Sequence, residues 1–296
     1  MSTRSSPPTR RVIAVLEALA TAPVEPSTLS ALAARTGTSK ATCLGLLNEL
    51  TAAGWVRRPT ARGYQLGPAV LALGVAASAV EPGIAAARPR LAALAREAGG
   101  AVTASARRGA TIAVLARVGD PAVAPEVRVG ARFPAAPPSG VMFVAWDGAA
   151  AVEAWLAAVP LPGVVPAAPQ LRRVAAAARR RGSLAERAVD ASGELLTALA
   201  AVGDADLPDR LAQLVDRLLG PGARRHYLTR DLRPGETAEV TQVCAPVFGP
   251  DGRTAWLVAC FLGRSVDRGE LRRVTTALLA TAGELTAVAG GFDPWR

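Results

Sequence analysis

Two clusters of side chains have the types and spacing for chemistry. Ser39, Lys40 and Thr42 open one amphipathic stretch, and Arg57, Arg58 and Arg62 surround a short Pro/Gly turn. Hydroxyls and single cations bond phosphate oxygens and base edges, so the chemistry these residues suit is contact with nucleic acid. Arg35, just upstream, and Asn48, two turns further on, complete the candidate set. Ordinary polar positions on a surface helix are the rival reading. No bond-making constellation competes with the basic cluster. The single histidine, His226, argues against a histidine-based metal site or a serine-type triad. Cys43, Cys244 and Cys260 share no ligand or disulfide spacing and read as buried thiols. Glu186, Asp190 and Glu194 fall at helical spacing without a partner that would make them catalytic acids. Gly249-Pro-Asp-Gly252 is a hairpin turn, and no Gly-Lys-Ser phosphate loop accompanies it. No catalytic residue, metal or cofactor is expected.

The elements that must position the basic cluster follow from periodicity and capping. Val12, Ile13, Val15, Leu16 and Leu19 give a first helix over about 10–20. Pro23 and Pro26 interrupt the chain, and Ser27 or Thr28 caps a second helix that ends at Gly37. Thr38 or Ser39 caps a third, apolar at Cys43, Leu44, Leu46, Leu47 and Leu50 and stopped by Gly54. Trp55-Val-Arg-Arg then turns through Pro59 and Gly63 into Tyr64-Gln-Leu as a short hairpin. Helix, tight turn, helix and a basic two-stranded flap make a winged helix-turn-helix over 1–67, whose third helix presents its N-terminal residues to the major groove. Charge agrees. Residues 1–80 hold eight basic and three acidic residues, a net of +5, and the other 216 also total +5 from 26 against 21. The density of positive charge is therefore higher at the N-terminal end, as a phosphate-binding module requires.

A chain of 296 residues suits two domains. Residues 68–98 are expected to be linker helices, rich in small residues that permit close helix approach. A dimer seam is one reading, and a helix buried within the chain is the other. Beyond Gly99-Gly100 the pattern changes to strands over 101–106, 111–118 and 127–129, a rigid loop at Pro134–Pro138, and a helix starting at Ser139-Gly140. Helices follow near 149–158, 171–181 and 208–219. Strands over 240–248 and 256–262 flank the 249–252 turn, and a final amphipathic helix spans about 266–288. Interleaved helices and hairpins make residues 99–296 an α+β domain with a mainly antiparallel sheet. The arginines at 172, 173 and 179–181 read as a solvated helix face.

Several stretches then resemble a known family. RRVIAVLEALA, LSALAARTGTSKATCLGLLNELTAAGWVRR and YQLGPAVLALG are similar to the N-terminal domain of IclR-type bacterial transcriptional regulators. ARPRLAALAREAG, VRVGARFPAAPPSGVMFVAW and CAPVFGPDGRTAWLVACFLG extend the resemblance into the second domain. The likeness is weakest over about 147–235. It implies an all-α winged helix-turn-helix joined to a GAF-like effector domain, binding operator DNA as a dimer or dimer of dimers. It further implies a small organic effector, often a carboxylic acid. Carried over position by position, the effector pocket is lined by Ser139, Gly140 and Val141 at a helix start, with Gln242, Cys244, Cys260 and Leu262 from two strands. Alternation supports the strand pairs, because 242/244 and 260/262 each point to one face of their own strand. A free helix N-terminus at Ser139-Gly140 would offer N–H groups to a carboxylate. Core packing is the rival reading for Cys260 and Leu262.

Two departures from the family pattern matter. Leu44-Gly45 stands where a polar residue followed by Arg is common, so base readout is expected to be thin. Cys260 and Leu262 replace hydroxyl residues, which implies an effector less polar than a two-carbon acid, with Gln242 as the main polar handle. With no apolar run of membrane-span length and no signal-type leader, a cytoplasmic protein without a membrane partner is expected. The rival class is a small-molecule sensor or enzyme with a vestigial helix-turn-helix, kept open by Leu44-Gly45.

Overall fold

Val15, Leu19, Leu32, Cys43, Leu47 and Val56 come from four different elements and meet in one core, which is what their helical spacing dictates. The computed structural model describes residues 6–21, 25–61, 63–80, 82–125, 127–137, 139–158, 168–187 and 227–294. The chain divides into two units, Met1–Pro82 and Gly83–Arg296.

In the first unit α1 (Pro7–Ala20), α2 (Leu29–Thr36) and α3 (Lys40–Ala52) precede the hairpin β1 (Val56–Thr60) and β2 (Gly63–Leu66). The Thr28 side chain accepts from the Ala31 N–H and starts α2, and Gly37 ends it at φ +63°. The Ser39 side chain accepts from the Thr42 N–H and starts α3 two residues later, so the tight turn of the motif lies between two matched caps. β1 and β2 pair antiparallel, and a bridge from Ser27 to Tyr64 ties the hairpin back to the start of α2. Helix α4 (Ala69–Val80) follows.

In the second unit, α5 (Pro82–Ala98) precedes the strands β3 (Ala101–Arg108), β4 (Thr111–Gly119) and β5 (Arg132–Pro134). Helices α6 (Ala149–Ala157) and α7 (Ala168–Arg181) lead to β6 (Leu184–Arg187) and β7 (Tyr227–Leu228). β8 (Thr237–Phe248), β9 (Thr254–Asp267) and α8 (Arg268–Val288) complete it. The described strands form one seven-stranded antiparallel sheet in the order β5-β4-β3-β9-β8-β6-β7. Its two faces are both buried. Leu91, Leu94 and Ala98 of α5 and Leu271, Val274, Leu278 and Leu285 of α8 cover one face, packing on Val102, Val243, Val258 and Cys260. Val152 and Trp155 of α6 and Leu171 and Val174 of α7 belong to the core on the other face, with Cys244, Ala259 and Phe261. Alternation along each strand sorts side chains between these two cores.

Several expectations are corrected. Residues 127–129 form no strand, and the edge strand lies at 132–134 instead. The helix expected from Ser139-Gly140 is only a three-residue 3-10 turn, Val141–Phe143, because the backbone leaves the helical path at Val144, at φ −120°. Glu186 stands on strand β6 and not on a helix. Asp190, Glu194 and the helix expected over 208–219 lie outside the described residues. The two helices expected within 68–98 are present, and the boundary between the units falls after Pro82, the first residue of the second helix.

Gly67 is the tightest point of the first unit. A Cβ there would lie 2.2 Å from the Gly54 carbonyl oxygen, where the exit of the wing crosses the end of α3. Backbone cannot yield as a flexible side chain can. Gly67→Ala is expected to destabilise the first unit by at least about 2 kcal/mol and to leave the second unit's calorimetric transition in place. Equal shifts of both transitions would contradict this.

Candidate functional site

The first unit offers an exposed basic surface built on α3 and the wing. Lys40, Ala41, Leu44, Gly45 and Asn48 form the solvent-facing side of α3. Nothing lies within 4 Å of where a Gly45 side chain would start, and Leu44 is exposed. Cys43, Leu47 and Leu50 face inward, and burial raises the Cys43 thiol pKa, against a lowering hydrogen bond from Thr38.

Side chains that look alike in sequence have different commitments here. Ser39 and Thr42 are hydrogen-bonded to each other as well as through the cap, Oγ to Oγ1 at 2.9 Å. Arg35 donates to the Ala18 carbonyl at 2.8 Å and to the Thr21 hydroxyl. Its guanidinium closes the last turn of α1 through one nitrogen, and Arg35 stays exposed. Arg58 donates to the Ala61 carbonyl and stacks over the Tyr64 ring, 5.0 Å from its centroid, which stiffens the hairpin. Lys40, Asn48 and Arg57 remain exposed. Arg62 lies outside the described residues.

The second unit holds a partly open cavity of about 140 Å³ against the sheet face that carries α6 and α7. Register explains its lining. Tyr227, Glu186, Gln242 and Phe261 stand directly opposite one another across β7, β6, β8 and β9. Cys244, Ala259 and Thr103 form the next row, and Leu257 and Ser105 the third. Val127, Phe133 and Ser139 to Met142 close the other side. The Arg117 guanidinium donates to the carbonyls of Asp120, Val123, Ala124 and Val127, and this clasp holds the loop that carries Val127. Trp155 Nε1 donates to the Ser139 carbonyl at 2.8 Å. Gly140 is obligatory, since at φ +89° a Cβ would crowd Ala135 and Ile112.

Of the residues carried over for the pocket, Ser139, Gly140, Val141, Gln242 and Cys244 line this cavity. Cys260 and Leu262 do not. They pack in the opposite core with Val243 and Ala245, and Ala259 and Phe261 take the cavity positions on β9. The reason is pairing register: Gln242 faces Phe261 and Cys244 faces Ala259, so the phase of β9 is one residue from the one expected. The free helix N-terminus is also withdrawn, because one 3-10 turn has no array of aligned N–H groups.

Three cavity groups went unread in the sequence. Glu186 Oε2 accepts from Gln242 Nε2 at 2.8 Å. Burial raises the carboxyl pKa from 4.5 to about 7, against the lowering effect of that bond. Thr241 carries a buried hydroxyl oxygen with no hydrogen-bond partner. Arg187 lines the cavity beside its neighbour Glu186. Consecutive strand residues normally face opposite ways, but the register shifts between Glu186 and Arg187, against Gln242 and Val240, so Thr241 is an extra residue there. Such a bulge brings consecutive side chains to one cavity. The Tyr227 hydroxyl and the Cys244 thiol are pushed up, by burial first and then by the Glu186 charge. Burial also pushes Cys260 up to about 12.

Two outcomes follow. The unfolded Glu186 ionises through about 4.5 and the folded one through about 7, so its ionisation opposes folding. That penalty is absent below the lower value, grows across the window and is complete above the upper one. Glu186→Gln is expected to gain roughly 2–3 kcal/mol of stability over the parent above neutral pH and to lose that advantage in acid. Urea titrations across the pH range measure it, and a pH-independent difference would contradict the assignment. Cys260→Ser places a hydroxyl in the apolar core beneath α5 and α8 and should cost about 1–3 kcal/mol, leaving ligand occupancy of the cavity unchanged in a binding titration.

Comparison with known proteins adds to this geometry. Residues 8–60 match the family model described as the IclR helix-turn-helix domain. No curated protein matches the chain. Among solved structures, the chain resembles an IclR transcriptional regulator from Alicyclobacillus acidocaldarius, at 21% identity and TM-score 0.57, over 97% of this chain and 100% of that one. It resembles an IclR homolog complexed with 4-hydroxybenzoate from Microbacterium hydrocarbonoxydans, at 19% and 0.57, over 96% and 99%. The Thermotoga maritima IclR, at 15% and 0.57, aligns over 95% and 98%.

Proposed function

We propose that this chain, which carries an IclR helix-turn-helix domain on the fold of the IclR-family regulators, is a transcriptional regulator that binds operator DNA and answers to a small organic effector. The observation that carries the DNA half is the pair of capped helices α2 and α3, followed by the hairpin wing with its exposed Arg57. The effector half rests on the partly open cavity and its unpartnered Thr241 hydroxyl. That cavity is about the size of the ~150 Å³ apolar void that holds benzene in another protein, so a ring-sized ligand fits. A structural neighbour holds 4-hydroxybenzoate, a ligand of that size.

The proposed reader is dominated by the DNA backbone. Lys40 and Arg57 supply phosphate contacts, Asn48 is the base-edge candidate, and Ser39, Thr42 and Arg58 hold the helix start and the wing. Leu44 and Gly45 add little base readout, so specificity would depend on the spacing of two half-sites in a dimer. Leu71 and Val75, one turn apart on α4 and each 72% exposed, suit a dimer seam. Effector binding would shift the population of dimer geometries and so the fit to paired half-sites. The proposed protein has no catalytic role and works in the cytoplasm. Among the described residues no helix is long and apolar enough to cross a membrane.

Leu44 and Gly45 on the outer face of α3 are also the observation that favours a second reading, a ligand sensor with a vestigial helix-turn-helix. Titration of the full-length protein against its own upstream DNA at several salt concentrations separates the two. Regulation predicts affinity that falls steeply with salt, and Lys40→Ala or Arg57→Ala should each flatten the log–log slope by about 1 while weakening binding to all sequences alike. Salt-insensitive binding, or none, would favour the vestigial reading.

A further inference from the structure

We propose that the cavity selects its ligand by a protonated amine set against Glu186, on an apolar body of about one ring, and disfavours a carboxylate at that pole. The inference rests on reading the cavity as the effector site and names the chemistry that the site accepts.

The polar pole is built by one row of the sheet and one bulge. Glu186 stands between Tyr227 on β7 and Gln242 on β8, and its Oε2 accepts the Gln242 amide at 2.8 Å. A carboxylate has about four acceptor positions, and among the described residues Gln242 supplies the one side-chain hydrogen bond to it. No Arg or Lys among the described residues forms an ion pair with it. Among the described residues Tyr227 and Cys244 face it, with pKa values raised by burial first and then by the Glu186 charge, so they stay neutral and supply no cation, and Arg187 lines the same cavity. With its N–H committed to Glu186, the Gln242 amide can turn its carbonyl oxygen to a ligand. The Thr241 hydroxyl, buried and unpartnered beside it, adds another acceptor.

An acid buried in the cavity, with no counter-cation paired to it among the described residues and beside acceptors with capacity to spare, is half of an ion pair. A buried polar group left unsatisfied requires a partner, and an ammonium brings three donors and the missing charge together. A carboxylate at the same place would sit against Glu186 and be repelled, unless Glu186 first took up a proton. The remaining wall is apolar, with Ile112, Val114, Phe133, Leu257 and Phe261 among its residues, and suits a hydrocarbon body. Arg187, which also lines the cavity, is the rival anchor: a carboxylate ligand paired with it would reverse the preference.

The test uses the full-length protein and three probes with the same body, benzylamine, benzyl alcohol and benzoate, by calorimetric titration at about pH 8 and about pH 6. At the higher pH benzylamine is expected to bind at least about tenfold more tightly than benzoate, the scale of a hydrogen-bonded charge contact. Benzyl alcohol should fall between them. At the lower pH the gap should narrow as Glu186 takes up a proton. Glu186→Gln, which is expected to fold at least as well as the parent, should abolish the amine preference. Thr241→Val should weaken benzylamine several-fold. Benzoate equal to or tighter than benzylamine at the higher pH would overturn the proposal and favour Arg187 as anchor. An unchanged amine-to-benzoate ratio in Glu186→Gln would also overturn it. So would no binding of any probe by a sample that still binds DNA in a salt-dependent way. Failure of DNA binding with the amine preference intact would instead sink the regulator reading alone.

Discussion

The long pairing of β8 with β9 is the constraint on which the second unit depends. Its register runs from Thr237 opposite Asp267 to Phe248 opposite Thr254, and it assigns each side chain of two long strands to one of two cores. A sheet buried on both faces leaves little freedom, because a slip of β9 by one residue would put Phe261 beneath α8 and Cys260 into the cavity. The bulge at Thr241 is the one place where the ladder departs from strict alternation at the cavity's polar end. Thr241 and Gln242 both line the cavity there, opposite Glu186 and Arg187.

The first unit obeys a different constraint, the satisfaction of helix ends. Thr28 and Ser39 start α2 and α3, Gly37 stops α2, and the Arg35 guanidinium binds the Ala18 carbonyl in the last turn of α1. Cations that sequence alone groups together are all exposed, but Arg35 and Arg58 also hydrogen-bond within the unit and brace α1 and the hairpin. A surface poor in base-reading side chains after Thr42 is visible both as sequence and as structure.

Much of this was legible in the amino-acid sequence because local signals are strong there. The caps at Thr28 and Ser39, the glycine stops at 37 and 54, and the turn at 249–252 mark their elements within a few residues. The cavity was only half legible. Periodicity shows that 260 and 262 share a face but not which face, since the phase of a strand buried on both sides is set by its partner. Gly140 reads as a helix start until the backbone is seen to leave the helical path at Val144. Glu186 matched a helical i, i+4 pattern with Asp190, and a four-residue strand is too short to outweigh it. Its pairing with Gln242, 56 positions away, has no local signature.

The two units meet functionally only if occupancy of the cavity changes the grip on DNA. Thermodynamic linkage makes that coupling reciprocal. The most direct measurement is to identify, by native mass spectrometry, the ligand the purified protein retains, and to titrate operator binding with and without it. The account predicts that operator affinity changes on ligand binding, and that DNA changes ligand affinity by the same factor. Operator affinity unchanged at a saturated cavity would contradict it.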